Sequence, residues 1–147
     1  MKTAIVYYSK HHGNTKKLLD EIEKEGDVTL IDASEVSETD LSGYELIGFA
    51  SGIYFSKMNE KVLELAGKCL PENKKVFFIF TCGSMGKSYT KAIKDIAVSK
   101  GADILGEYGC RGFDTYGPFK LVGGIAKGHP DDKDISGAVE FFKGICK

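Results

Sequence analysis

Ser9-Lys10-His11-His12-Gly13-Asn14-Thr15 decides how this chain is read. The stretch follows an apolar run, Ala4 to Tyr8. It precedes a helical pattern with Leu18, Leu19 and Ile22 on one face and Lys16, Lys17, Asp20 and Glu21 mostly off it. A strand that turns through small polar residues into a helix makes an anion site. The first-turn N–H groups have no partner within the helix, and the helix dipole is positive at that end. Gly13 lets the backbone come close to a ligand, and the hydroxyls of Ser9 and Thr15 can donate to phosphate oxygens. The competing reading of the same residues is a polar turn that holds no ligand.

The loop resembles the phosphate-binding loop of flavodoxins, which holds the phosphate of FMN. The family's usual form is a short run of Ser/Thr, then Gly, any residue and Thr. Gly13-Asn14-Thr15 fits the ending and Ser9 the beginning, while His11 and His12 stand where threonines are commoner and the loop is one residue longer. A second stretch, Thr81-Cys82-Gly83-Ser84-Met85-Gly86-Lys87-Ser88, is a near miss to a nucleotide-binding Gly-rich loop. Its first glycine is replaced by Thr81, and only the weak Leu30-Ile31-Asp32 offers an Asp at a strand end for Mg²⁺. Cys82 at a strand end suggests a small phosphatase, but Ser88 occupies the position of the phosphate-gripping Arg. Neither alternative is adopted.

At 147 residues the chain is sized for one domain with one core, here expected to span 1–147. A net charge of −1, with both signs interspersed, leaves no basic footprint for nucleic acid. No apolar stretch approaches the roughly 20 residues of a membrane span. The N-terminal run is too short, and too soon followed by Lys10, for a secretory signal. Cys69, Cys82, Cys110 and Cys146 form neither a C-x-x-C pair nor a metal-ligand spacing, which suits a reducing cytoplasm.

Apolar runs recur at Ala4–Tyr8, Val28–Ile31, Leu46–Ala50, Val76–Phe80 and from Asp103 to Tyr108 or Cys110. They are nearly continuous rather than alternating, as in a parallel sheet covered on both faces. Helical patterns fill the intervals: Asn14–Lys24, Met58–Lys68, Lys87–Lys100 and Pro130–Ile145, the last with Pro130 in its first turn. Ala33 to Tyr44 is polar and suggests one short helical turn around Val36–Leu41. The expected fold is therefore α/β: a flavodoxin-like, doubly wound, five-stranded parallel sheet of order 2-1-3-4-5 with helices on both faces. Ligands of such sheets sit at the carboxyl ends of the strands where the winding reverses, which selects the loops after the first, third and fourth strands.

The loop after the third strand is expected to run Ser51-Gly52-Ile53-Tyr54-Phe55-Ser56-Lys57. A flavin ring wants an aromatic face to stack on, and Tyr54 is favoured for it; Phe55 either touches the ring or caps the core. The resemblance implies that the Gly52 peptide can turn its carbonyl toward the reduced flavin N5. The loop after the fourth strand, with Thr81, Cys82, Gly83 and Ser84, resembles the small polar loop that faces the pyrimidine edge of the ring. The family's tyrosine in that loop is missing, and Tyr89 is expected inside the following helix. From Cys110 to His129 the chain is glycine-rich and aromatic, and long structureless stretches in compact domains are often functional. Phe113, Tyr116 or Phe119 can close over the second face of the ring, dock a partner, or pack on the sheet edge.

The resemblance implies an FMN-binding carrier that passes electrons singly between redox partner proteins, as a monomer and without a catalytic residue of its own; the flavin supplies the chemistry. Lys10, Lys57, Lys87 and Arg111 beside the site imply a less negative potential for the last reduction step than in acidic members. Two rivals remain: a small FMN-dependent reductase of quinones or similar acceptors, and a domain of the same fold with no redox role. No dinucleotide fingerprint follows a strand to favour the reductase.

Overall fold

The computed structural model describes residues 1–10, 12–85, 88–113 and 124–147. Five of the apolar runs become parallel strands: β1 (Thr3–Tyr8), β2 (Val28–Asp32), β3 (Leu46–Tyr54), β5 (Lys75–Cys82) and β6 (Asp103–Arg111). A two-residue strand, β4 (Lys57–Met58), pairs antiparallel with the end of β3. The parallel strands lie in the order β2-β1-β3-β5-β6, which without β4 is the expected 2-1-3-4-5. Helices α1 (Asn14–Glu23), α2 (Glu60–Cys69), α3 (Lys91–Ser99) and α4 (Asp132–Ile145) cover the two faces.

The period of two along each strand divides the core. Ile5, Leu46, Phe77 and Ile79 point to the face where Leu18, Leu19 and Ile22 of α1 meet Ala138 and Phe142 of α4. Ala4, Val6, Ile47, Phe49, Phe78 and Phe80 point to the opposite face, against Val62, Leu65 and Ala66 of α2 and Ile93 and Ala97 of α3. Two phenyl rings lie across glycines of the neighbouring strand. A Cβ built on Gly48 would stand 2.4 Å from Phe77 Cζ, and one on Gly109 would stand 2.1 Å from Phe80 Cζ. The pairs use Gly48↔Phe77 and Phe80↔Gly109 register, one on each side of the sheet.

Four expectations are corrected. First, β3 continues through Tyr54, because Ile53 and Tyr54 find partners in Met58 and Lys57. Second, Ala33–Tyr44 holds turns rather than a helical one, built where Asp32 accepts from Ser34 and Asp40 from Ser42. Such short side-chain-to-backbone bonds compete with helix. Third, α3 begins only at Lys91; the Thr90 hydroxyl donates to Glu107 on β6 at 3.0 Å instead of capping the helix. Fourth, Pro130 precedes α4. Asp131 is the N-cap and accepts the Asp134 N–H, while the Asp134 carboxylate accepts the Asp131 N–H, each at 2.9 Å, a reciprocal capping box. The outer strands β2 and β6 are also less buried than their apolar composition suggests, since each has a strand neighbour on only one side. Among the described residues no helix is long and apolar enough to cross a membrane.

Candidate functional site

Strand register gathers the three expected segments. Tyr8 pairs with Ser51 and Gly52 with Thr81, so the carboxyl ends of β1, β3 and β5 stand side by side. The chain leaves β1, turns through His12 (φ 57°) and Gly13 (φ 64°, ψ 22°), and enters α1. The left-handed conformation at Gly13 is one that glycine takes without strain. As N-cap it has no side chain with which to cover the first N–H groups of the helix.

Side chains brace this turn from behind. Ser9 Oγ accepts the Lys16 N–H at 2.9 Å, folding the loop onto the first turn of α1. Thr15 is 1% exposed, and its hydroxyl lies 2.9 Å from that of Thr81, bolting the helix start to β5. The buried Thr15 hydroxyl is thus engaged with the neighbouring strand. His12 is exposed, with its ring 4.5 Å from that of Phe113 at an interplanar angle of 33°. His11 lies outside the described residues.

Asn14 has the most informative side chain. It is 5% exposed, and its Nδ2 donates to the Phe113 carbonyl at 2.8 Å. A carbonyl only accepts, so this bond fixes which way the amide points. Its Oδ1 is then a buried acceptor with no donor among the described residues. Leaving such a group unpaired costs about 1–3 kcal/mol.

The second segment is a hairpin rather than a loop. Phe55 and Ser56 form its two-residue tip with φ of 51° and 66°, the signs that a tight hairpin turn requires and side chains resist. Phe55 is 82% exposed, so it does not cap the core. Tyr54 is half-buried and meets Tyr8 edge-on, with centroids 6.1 Å apart. Ser51 Oγ donates to the Gly52 carbonyl and accepts the Asn59 N–H, tying the root of the hairpin to the start of α2. A Cβ on Gly52 would find only ordinary contacts of 3.6 Å and beyond, so packing does not demand glycine there.

In the third segment Thr81 and Cys82 belong to β5, and the turn begins at the buried Gly83. Cys82 Sγ lies 3.2 Å from Met85 Sδ and 3.7 Å from the Cys110 carbonyl. Tyr89 precedes α3 instead of lying within it. Its hydroxyl donates to the Ser84 carbonyl at 2.6 Å, and its ring meets Phe80 edge-on, so it props this loop. Burial raises the Tyr89 hydroxyl above its ordinary pKa.

Two of the four expected cations face carboxylates. Lys10 faces Asp32 at 3.6 Å and Lys57 faces Glu60 at 3.7 Å. Burial pushes the Asp32 carboxyl up, but the hydroxyl and N–H of Ser34 together with Lys10 outweigh it, holding Asp32 below the usual carboxylate range. Arg111 is exposed at the end of β6, and Lys87 lies outside the described residues.

Phe113 stands beside the turn between β1 and α1, against His12 and Asn14. Tyr116 and Phe119 lie outside the described residues. The Phe113 N–H donates to the His129 carbonyl at 2.8 Å. His129 Nδ1 in turn lies 2.7 Å from Asp134 Oδ2. His129, Asp131 and Asp134 bring ligand-type atoms within 4.8 Å of one another, but the two carboxylates are already engaged in the cap of α4. A separate polar cavity of about 390 Å³, between Ala33–Ser37 and Lys61–Lys68, contains none of these residues. Sequence reasoning missed the Thr15–Thr81 link, the Asn14–Phe113 bond and the Ser51–Asn59 tie. The first two join residues 66 and 99 positions apart, and the third depends on the hairpin at the end of β3, so no local pattern signals them.

A family model described as "Flavodoxin domain" matches residues 5–104. An uncharacterized protein of Methanocaldococcus jannaschii is 42% identical over 149 residues, covering 100% of this chain and 99% of that one. Oxidised flavodoxin 2 of Bacillus cereus superposes with a TM-score of 0.67 at 16% identity, over 98% of this chain and 97% of its own. A flavoprotein of Lactobacillus acidophilus in complex with FMN gives a TM-score of 0.59 at 22% identity, over 75% of this chain and 92% of its own. At such identities the two structures speak for the fold alone. The family match covers most of the sequence, and with strand order and loop placement in agreement, this chain belongs to the flavodoxin domain family.

Proposed function

We propose that the chain binds FMN at the joined ends of β1, β3 and β5 and carries electrons between redox partner proteins. The observation that carries this reading is the opening of α1. A helix start whose N-cap, Gly13, offers no side chain suits a phosphate, and beside it the buried Asn14 Oδ1 has no hydroxyl or N–H donor among the described residues. FMN offers both parts, a phosphate and hydroxyls on the chain next to it, so the residues fit the group. The flavin supplies the redox chemistry when bound.

The chain's own residues supply binding, orientation and exclusion of water. The N–H groups that open α1 receive the phosphate. Tyr54, braced by Tyr8, offers an aromatic face, and the backbone at Cys82 and Gly83 lines the polar edge. Nothing in this arrangement needs a side chain to act as acid or base.

Titration of the purified protein with FMN, followed by potentiometric reduction, tests the reading. Stoichiometric binding and two resolved one-electron steps are expected. A colourless protein that ignores added FMN would sink it. NADPH oxidation by the isolated protein with a quinone present would favour the reductase instead.

A further inference from the structure

We propose that Thr81 is a positioning residue for the phosphate of the ligand: its hydroxyl donates to Thr15, so that the Thr15 hydroxyl keeps its own hydrogen for an anion at the opening of α1. The proposal rests on the FMN reading above and adds to it a residue of β5 that need not touch the phosphate. The two hydroxyls lie 2.9 Å apart, and Thr15 and Thr81 are 1% and 3% exposed. Neither hydroxyl has a second hydrogen-bond partner among the described residues. Gly52, the register partner of Thr81 on β3, puts no side chain against it.

Two hydroxyls hold two hydrogens and use one in the bond between them. The other is enclosed without an acceptor, which costs free energy until something accepts it. In the ligand-free protein either hydroxyl can be the donor. A phosphate dianion removes that freedom, because it only accepts and a bond to an anion is stronger than one between neutral groups. Thr15 is the second residue of α1, at the positive end of the helix, and the Lys16 N–H beside it is already accepted by Ser9. Thr15 is therefore the hydroxyl on the phosphate side, and Thr81 is the one behind it. The chain from Thr81 O–H to Thr15 Oγ1, and from Thr15 O–H to phosphate, is polarised in one direction, each bond strengthening the next. Asn14, the adjacent residue, has the opposite need, since its buried Oδ1 lacks a donor among the described residues. One turn of helix thus asks for an acceptor and a donor together, which a phosphate ester next to a hydroxyl supplies.

Fluorescence titration with FMN and urea unfolding of the ligand-free protein, both on the full chain, test the proposal. Thr81→Val keeps the shape and removes the hydroxyl. It is expected to lower FMN affinity about fivefold, the scale of one neutral hydrogen bond. Thr81→Ser keeps the hydroxyl and is expected to stay within about twofold of the unaltered protein. In a Thr15→Val background, Thr81→Val is expected to have no further effect on affinity, because the group it acts through is gone. The double variant also separates positioning from packing. With both hydroxyls replaced no polar group is left unpaired, so the urea midpoint lost in either single variant is expected to recover. Its FMN affinity is expected to remain at the low level of Thr15→Val. Recovery of affinity along with stability would overturn the proposal. So would unaltered affinity in Thr81→Val, a Thr81→Ser variant as weak as Thr81→Val, or a Thr81→Val loss that persists in the Thr15→Val background. If Thr81→Val does not fold, the double variant decides, and unaltered FMN affinity there counts against the proposal. If the unaltered protein binds no FMN, the FMN reading falls and this inference with it. If it binds FMN and the variants bind it as tightly, only this inference falls.

Discussion

Gly13→Ala separates what the first loop contributes to folding from what it contributes to a ligand. Gly13 caps α1 at φ 64° and ψ 22°, and a Cβ built there meets nothing within 4 Å. The substitution therefore creates no clash, and its stability cost is the backbone strain of holding alanine in the left-handed region, about 1 kcal/mol. In a domain of this size that is a fall in Tm of about 2–4 °C. The open space that makes the change harmless to packing is where a phosphate would approach the helix. Loss of one charge-assisted N–H contact, about 1.5–3 kcal/mol, predicts a fall in FMN affinity of about 10- to 100-fold. Urea unfolding of the ligand-free protein measures the first quantity and fluorescence titration with FMN the second. If Gly13→Ala shows the expected small stability loss but binds FMN as tightly as before, the phosphate does not come to this turn.

Four further outcomes are expected. Gly48→Ala should destabilise by about 1–3 kcal/mol, because Phe77 is fully buried and must leave its place; adding Phe77→Leu should recover most of the loss in urea midpoint. Replacing Phe55 by Asn and Ser56 by Gly puts residues that accept positive φ at the hairpin tip, and should raise stability by about 1 kcal/mol in thermal unfolding. Burial pushes the Cys110 thiol up to about 12. Its alkylation at pH 8, followed by mass spectrometry, should thus be slower in the native protein than in urea by about three orders of magnitude. Asp32 has its folded pKa below its unfolded value, so it contributes stability that is present above about pH 4 and lost as pH falls through the folded pKa; Ser34→Ala should flatten that acid limb of the unfolding midpoint.

The division between what was legible in the sequence and what was not follows the range of the interactions. Strands in the middle of the sheet are covered on both faces, so Leu46–Ala50 and Val76–Phe80 had to be continuous apolar runs, and periodicity found them. Helix α1 was equally open to reading, because Leu18, Leu19 and Ile22 repeat at helical spacing and all reach 0% exposure. The end of β3 was not. Ile53 and Tyr54 become strand only because Lys57 and Met58 fold back on them, and the turn that allows it places Phe55 and Ser56 at positive φ, against the preference that turn chemistry reads. The start of α3 was lost to Glu107, which takes the Thr90 hydroxyl from a neighbouring strand.

The site divides the same way. Gly13-Asn14-Thr15 is a local motif, and it stands where β1 turns into α1. Its side chains find distant partners, Thr15 in Thr81 and Asn14 in Phe113, 66 and 99 residues away. A loop of this kind can thus keep its backbone turn while its side chains fasten it to β5 and to the chain after β6. That is why the loop sequence alone gives the turn from β1 into α1 but not the distant partners of its side chains.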